Sequence, residues 1–211
     1  MKKVGFLILI FVFLSCNNNP KIKTSQKQVD SPVTTETSTD KEEIQKLIRQ
    51  VLIWSDSTHL NLLPVLADSI DSLYIGFDMN ELKSNLNMLK ETNLFAIEFI
   101  DNYNKIILTL DSNLKNKEYG DWLVDDLPVF NFANDVNPWC LCQDNLPWEN
   151  VVVQIISLSG DKGELSWKWG NLSANSDSSW SNFSYNFTVV KEDGRWKIAY
   201  LQGFDFKEST K

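Results

Sequence analysis

Histidine is almost missing from this sequence: among 211 residues, only His59 supplies an imidazole. It lies in a polar segment, Ser55 to His59, between two predicted helices, and no serine or cysteine nucleophile pattern accompanies it. We therefore interpret His59 as a surface residue rather than a general base. The sequence also has no glycine-rich phosphate loop, no Gly-x-Ser-x-Gly elbow and no His-Glu-x-x-His motif. No common signature of nucleotide-binding, hydrolytic or zinc-protease chemistry is therefore present.

Long apolar runs are missing except at the N-terminus. Lys2 and Lys3 precede Val4 to Leu14, a run that is too short to span a bilayer but suits the core of a signal peptide. The run ends in Leu14-Ser15-Cys16, and a small residue directly before cysteine at this place resembles the lipobox of bacterial lipoproteins. That resemblance implies cleavage before Cys16 and acylation of its thiol. An ordinary secretory signal that happens to contain a cysteine is the alternative.

The lipobox interpretation sets the expected domain organisation. Residues 1–15 are predicted to be the signal peptide, 16–40 a lipidated disordered tether, 41–206 a single folded domain and 207–211 a tail. The tether prediction depends on a composition of Asn, Thr, Ser, Lys and Gln without aromatic residues, which cannot bury enough apolar surface to fold. Acyl chains would attach the protein to a membrane of the cell envelope, which we expect to be the outer membrane, on its periplasmic or surface face.

Basic residues are few, and this limits the classes of partner. The full chain has 20 Lys and Arg against 28 Asp and Glu; loss of Lys2 and Lys3 with the signal leaves 18 − 28 = −10. Phosphate backbones repel a protein of this charge, which argues against nucleic acid as a partner.

The first half of the predicted domain has helical periodicity. A capping-box pattern at Thr39 to Glu42 predicts the start of a helix that ends near residues 54–56, and a second such pattern at Asp78 to Glu81 starts another. A further helix is expected from Leu94 to about Leu114. Between the first two helices, Leu60 to Leu73 predicts a short helix beginning near Pro64 or an irregular turn. Residues 73–77 are expected to form a short strand.

The last quarter of the chain alternates apolar and polar residues with a period of two, which is typical of strands. Four strands are predicted, near Val151 to Leu158, Leu165 to Trp169, Tyr185 to Val190 and Arg195 to Leu201. Asp193-Gly194 supplies the turn of the last hairpin. The predicted fold class is therefore α+β, with N-terminal helices packed on a curved antiparallel sheet of four or more strands.

This order of elements is similar to the nuclear-transport-factor-2-like, or ketosteroid-isomerase-like, cone. The residues that carry the resemblance are the amphipathic helix at Ile44 to Val51 and the closing hairpin with Gly194 to Ile198. The resemblance implies a bent sheet that wraps around helices and leaves a pocket at its wide end. No residue aligns with the catalytic groups of the enzymatic members, so the resemblance implies no active site.

Cys140 and Cys142 stand in a long segment without periodicity, residues 115–148. With Cys16 acylated they are the only free pair, and outside the cytoplasm we expect them to form a disulfide. Such a bond would act as a structural clip of the loop or, since a Cys-x-Cys ring is tight, as a redox-active group. Zinc would need four ligands, which two cysteines and one distant histidine do not supply, so no metal or other cofactor is predicted.

The same segment predicts the rim of a ligand site. We expect Trp139, Trp148 and Trp180, on loops, to be exposed, whereas tryptophans at strand spacing belong to the core. Loop carboxylates would stand near them, as calcium ligands, as an acid/base pair or as solvated charges. The predicted rim residues are Trp122, Trp139, Trp148, Trp180, Asp125, Asp126 and Asp144.

These observations favour a lipid-anchored, non-catalytic domain that binds a small molecule or an envelope protein at the open end of the fold, beneath the 118–148 loop. Two alternatives stay open. The first is a small pocket enzyme, an isomerase or hydrolase. The second is an immunity or inhibitor protein that plugs an envelope enzyme, for which a filled interior would be typical.

Overall fold

A four-stranded antiparallel sheet and the helices that cover it form the centre of the described part of the chain. The structure is a computed structural model, and it describes residues 34–70 and 72–211. The α-helices are α1 (Thr34–Thr58), α2 (Met79–Glu91), α3 (Ile97–Lys115), α4 (Ser178–Ser181) and α5 (Phe206–Ser209). The strands are β1 (Val65–Asp68), β2 (Leu73–Phe77), β3 (Val151–Ser159), β4 (Lys162–Trp169), β5 (Tyr185–Glu192) and β6 (Arg195–Leu201). Short 3₁₀ turns lie at Trp148–Asn150 and Gln202–Phe204.

The large sheet has the order β3-β4-β5-β6, with every neighbour antiparallel. Its last hairpin turns at Asp193 (φ 53°) and Gly194 (φ 74°), and two positive φ angles give the turn whose twist matches that of the flanking strands. The four strands and their meander order confirm the prediction from alternating residues.

Helices α1 and α3 cover this sheet. The predicted apolar face of α1 is buried: Ile44, Ile48, Val51 and Leu52 are each 0 % exposed. The helix packs on β3 and β6, and α3 packs on β6. A side chain also fixes the helix to the sheet, since Arg49 Nη2 donates to the carbonyl oxygen of Val151 at 2.7 Å. The α+β fold class, with helices packed on an antiparallel sheet, is confirmed.

The first helix starts earlier than predicted. It begins at Thr34, so the expected capping box at Thr39 to Glu42 is wrong and helix occupies the end of the range predicted as tether. Residues 34–40 contain neither glycine nor proline to stop a helix. Asp40 makes a tertiary contact instead of a cap: its Oδ1 accepts from Trp196 Nε1 at 2.8 Å and from Lys191 Nζ at 3.1 Å.

Strand β1 begins directly after Pro64, so the predicted short helix is wrong, and the alternative of an irregular turn fails for Val65–Asp68. Strand β1 pairs with β2 in a separate small sheet, and the amide of Asp78 donates to the carbonyl oxygen of Pro64 at 2.6 Å. Asp78 also caps α2, accepting from the amides of Asn80 at 2.8 Å and Glu81 at 3.2 Å, as predicted. Pairing of β1 with β2 thus overrides the helical spacing of the apolar residues in this segment.

Helix α3 begins three residues later than predicted because the residues before it pair with the sheet. Leu94 O accepts from Ile198 N at 2.9 Å, and Ala96 N donates to Ile198 O at 2.8 Å. These bonds hold residues 94–96 in an extended conformation beside β6.

The predicted signal peptide, the lipidation site Cys16 and the tether up to residue 33 lie outside the described residues. Among the helices that are described, none is both long enough and apolar enough to cross a membrane.

Candidate functional site

The predicted ligand pocket under the 118–148 loop is filled by the loop itself. Trp139 is 4 % exposed. Its ring centroid lies 4.7 Å from that of Phe204, 5.7 Å from those of Trp54 and Phe95, and 6.0 Å from that of Phe99. This tryptophan therefore joins α1, α3 and the C-terminal segment in one aromatic cluster. Aromatic pairs stabilise the folded state by more than the burial of their surface area alone. Because Trp139 is buried among these rings, the loop is part of the core.

The prediction that Trp139 and Trp148 are exposed is wrong. Trp148 is 7 % exposed and its Nε1 donates to Asp56 Oδ2 at 2.6 Å. Trp122 is likewise buried, and its Nε1 donates to the carbonyl oxygen of Asp126 at 3.0 Å. The indole N–H groups of Trp122 and Trp148 thus have acceptors, which removes the usual cost of burying them. Trp180 is half-buried on α4, with its ring 5.6 Å from that of Trp169.

The predicted rim residues do not surround one opening. Asp125 and Asp126 are exposed beside Trp122, near β2, whereas Asp144 is exposed next to Asn145, whose Nδ2 lies 3.5 Å from Asp56 Oδ2. No group of three or more His, Cys, Asp or Glu side chains in residues 34–70 and 72–211 is arranged to hold a metal ion. His59 is exposed, as predicted, and lies directly after the last residue of α1.

Cys140 and Cys142 are joined by a disulfide, with their Cα atoms 5.1 Å apart. The bond closes a tight turn in which Leu141 has a positive φ of 52°. Asn137 completes the turn: its amide donates to Cys142 O at 3.1 Å and its carbonyl accepts from Leu141 N at 2.7 Å. Because Trp139 lies inside this turn, the arrangement favours a structural clip that fixes the core tryptophan. The redox alternative would require a reductant to approach Cys142, which is half-buried, since Cys140 is 1 % exposed.

A polar cleft of about 590 Å³ lies beside this turn, and we name it the C-terminal cleft. It was not predicted from the sequence. It brings together residues from the loop, β5, β6 and the C-terminal segment. Its lining residues are Asn131, Leu141, Asn186, Tyr200, Gln202, Gly203, Asp205, Lys207, Glu208 and Ser209.

A buried tyrosine fixes the walls of the cleft. Tyr185 is 0 % exposed; its hydroxyl donates to Pro138 O at 2.8 Å and accepts from Gly203 N at 3.0 Å. Burial raises the pKa of Tyr185 well above its usual range, so the hydroxyl stays protonated and keeps both bonds. Gly203 packs so closely that a Cβ there would lie 1.9 Å from Pro138 O. The two segments are therefore joined without space for another side chain.

The cleft offers hydrogen-bonding groups that the protein does not use. The side-chain amides of Asn131 and Asn186 are exposed and make no hydrogen bond with any described residue. Tyr200 donates to Asp205 Oδ2 at 3.2 Å. Partial burial, followed by the negative charge of Asp205, raises the pKa of Tyr200 to about 12, so this hydroxyl is a neutral donor at physiological pH. Amides, a phenol, carboxylates and the Lys207 ammonium in one concave surface suit a small polar ligand.

Comparison with protein-family models, with curated proteins and with solved structures gives no match. The function is therefore inferred from the residues and their geometry alone.

Proposed function

We propose that this protein is a lipid-anchored component of the cell envelope whose domain binds a small polar ligand in the C-terminal cleft without transforming it. The observation that carries this proposal is a polar cleft in which the side-chain amides of Asn131 and Asn186 have no hydrogen-bond partner among the described residues. Tyr185 and Gly203 hold its walls in place, so little conformational entropy is lost when a ligand binds.

The non-catalytic part of the proposal is supported by the chemistry of the cleft. The pKa of Tyr200 is raised to about 12, so at neutral pH its hydroxyl is protonated and cannot accept a proton, and it donates to Asp205 instead. A pocket enzyme would need an acid or base whose pKa lies near the working pH. We therefore rank the isomerase or hydrolase alternative below binding.

The anchoring part of the proposal is supported by the sequence. Lys2, Lys3, the apolar run and Ser15-Cys16 form the pattern that resembles a lipobox. Kinship with the nuclear-transport-factor-2-like cone stays a proposal that depends on the order of helices and strands.

An inhibitor or immunity protein is the second candidate. It is favoured by the filled interior, in which Trp139 packs among Phe95, Phe99 and Phe204 and leaves binding to the outer surface. Such a protein would form a tight complex with one envelope enzyme and need no small ligand. Capture of a single enzyme by the immobilised full chain, with loss of that enzyme's activity, would select this candidate.

The ligand proposal is tested by thermal unfolding of the full chain in detergent against a panel of neutral sugars, amino acids and short peptides. A ligand at 100 times its Kd stabilises the folded state by about 2.7 kcal/mol. The double variant Asn131→Ala/Asn186→Ala should abolish the shift and keep the unliganded Tm, because neither side chain has an internal bond to lose.

Asn87→Ala is the matched control, since Asn87 is also an exposed asparagine without a side-chain hydrogen bond, but lies on α2. It should leave the ligand shift unchanged. If a ligand raises the Tm of the double variant as much as that of the unmodified protein, the ligand binds outside the C-terminal cleft. If the protein converts the ligand to a product, the protein is an enzyme and the non-catalytic proposal is wrong.

A further inference from the structure

We propose that the small sheet formed by β1 and β2 is a docking surface for a protein segment that carries both aliphatic and basic side chains. This surface is separate from the C-terminal cleft, and the proposal does not depend on the ligand proposed for that cleft.

Exposed aliphatic side chains are concentrated on this sheet and on the loop that extends it. Five of the eleven large hydrophobic side chains that are exposed in the described residues lie here. We name them the hairpin patch: Leu66 (45 % exposed), Ile70 (87 %), Ile75 (51 %), Leu123 (49 %) and Leu127 (59 %). They lie on strands that pair with one another and on the segments next to those strands, and exposed aliphatic side chains that are grouped are typical of a protein interaction site.

The loop adds a third line of backbone pairing to the sheet. Leu123 bridges Leu73, Tyr74 N donates to Trp122 O at 2.9 Å and Val124 N donates to Ser72 O at 2.9 Å. The loop therefore covers the edge of β2. On the other side, no strand of the described chain pairs with the outer edge of β1. An unpaired edge beside exposed aliphatic residues can accept an extended segment of another protein.

The inner side of the small sheet is fixed to the rest of the domain. Phe77 N donates to Asp111 Oδ1 on α3 at 2.9 Å, and the rings of Tyr74 and Trp122 lie 4.3 Å apart. Phe77 itself is 2 % exposed. Because the inner side of the sheet is fixed to the core, the exposed residues form a preorganised surface rather than a frayed end.

The charge around the patch selects the partner. Asp68, Asp121, Asp125 and Asp126 lie on these same segments, and the structure pairs none of them with a described basic residue. The sequence has no Lys or Arg from residue 50 to 82 or from 118 to 161. Lys115 and Lys117 line a neighbouring cleft with Ile75, and Lys115 pairs with Asp111 at 2.8 Å. The four aspartates of the patch segments therefore outnumber the one lysine at that cleft that makes no ion pair with a described residue.

Three other occupants are disfavoured by the same carboxylates. A second copy of the chain would place Asp125 and Asp126 against like charges, and an anionic membrane or a nucleic acid would also be repelled. A segment with lysine or arginine between aliphatic residues satisfies both the apolar patch and its acidic surround. Such a segment is the occupant expected on this surface.

The test uses the full chain in neutral detergent and a fluorescein-labelled peptide of alternating lysine and valine, with a glutamate-valine peptide as the comparison probe. Fluorescence anisotropy should show binding of the lysine peptide alone, weakened by high salt. Two double variants should each weaken binding by about tenfold or more: Leu123→Ser/Ile75→Ser and, separately, Asp125→Asn/Asp126→Asn. A tenfold loss of affinity corresponds to about 1.4 kcal/mol of binding free energy.

Matched controls lie on the large sheet. Ile156→Ser removes an aliphatic side chain that is 62 % exposed on β3, and Asp161→Asn/Asp193→Asn removes two turn carboxylates. Both should leave the affinity unchanged. Hydrogen exchange should also slow at Leu66 and Ala67 when the peptide binds.

Three results would overturn the proposal: no binding of the lysine peptide, equal binding of the glutamate peptide, or equal losses in the patch variants and the controls. The charge variant keeps the test decisive if the double serine variant unfolds, because it removes no buried group. None of these results changes the ligand shift assigned to Asn131 and Asn186, so failure of this proposal is distinguishable from failure of the cleft proposal.

Discussion

Replacement of Trp139 by alanine tests whether the 118–148 loop is part of the core. The ring is 4 % exposed and packs against Trp54, Phe95, Phe99 and Phe204, with centroid separations of 4.7–6.0 Å. Truncation of a buried tryptophan costs about 3–5 kcal/mol, from lost transfer energy and the cavity left behind. For a domain of this size each kcal/mol shifts the Tm by about 2–4 °C, so we expect a drop of about 6–20 °C.

Urea unfolding followed by circular dichroism measures this change in the free energy of unfolding, with an unchanged slope if both states keep their compactness. Trp180→Ala is the matched control. Trp180 is half-buried on a four-residue helix, so its loss should cost about 1 kcal/mol. If Trp139→Ala costs no more than Trp180→Ala, the loop does not fill the interior and the binding site must be reconsidered.

The remaining predictions concern the cleft, pH and the anchor. Gly203→Ala should destabilise the fold by about 1–3 kcal/mol in urea, because a Cβ would clash with Pro138 O, and an unchanged midpoint would contradict the packing. Tyr185→Phe should cost about 1–3 kcal/mol by leaving Pro138 O and Gly203 N without their partner; full stability would show that the hydroxyl is dispensable. The pKa of Tyr200 is raised from 10.0 to about 12 in the folded state. Its contribution to the free energy of unfolding is therefore complete below pH 10 and is lost as the pH rises towards 12. Absorbance at alkaline pH should show this late ionisation, and a Tyr200→Phe variant should lack it. Cys16→Ala should release the protein from the membrane fraction, and unchanged fractionation would count against lipidation.

Alternating residues predicted the large sheet well because strand pairing there is local. Each strand from β3 to β6 pairs with its neighbour in sequence, and Asp193-Gly194 dictates the last turn. Helices α2 and α3 were likewise predicted from the helical spacing of their apolar residues. For α2 the capping pattern at Asp78 supplied a second signal. The chain near Pro64 was predicted wrongly because β1 depends on its partner β2, and its own residues are compatible with either structure.

The candidate site was less predictable because it depends on contacts distant in sequence. Trp139 was expected on the surface since loop tryptophans often bind ligands, but Phe204, 65 residues later, supplies the surface on which it packs. Nothing in the sequence indicated that Tyr185 would join Pro138 to Gly203. Gly203, two residues after the end of β6, is the one sequence signal that was available, because a glycine near a strand end often permits a close backbone approach.

Native-state hydrogen exchange at the amides of Cys140 and Leu141 tests the central claim most directly. Both amides donate to the carbonyl oxygen of Asn137, inside the turn that holds Trp139 in the core. If the loop fills the interior, these amides should exchange only through global unfolding, at the same free energy as the amides of β5 and β6. Exchange as fast as that of the exposed loop 171–177 would show that the loop opens independently, and would contradict an interior closed to ligands.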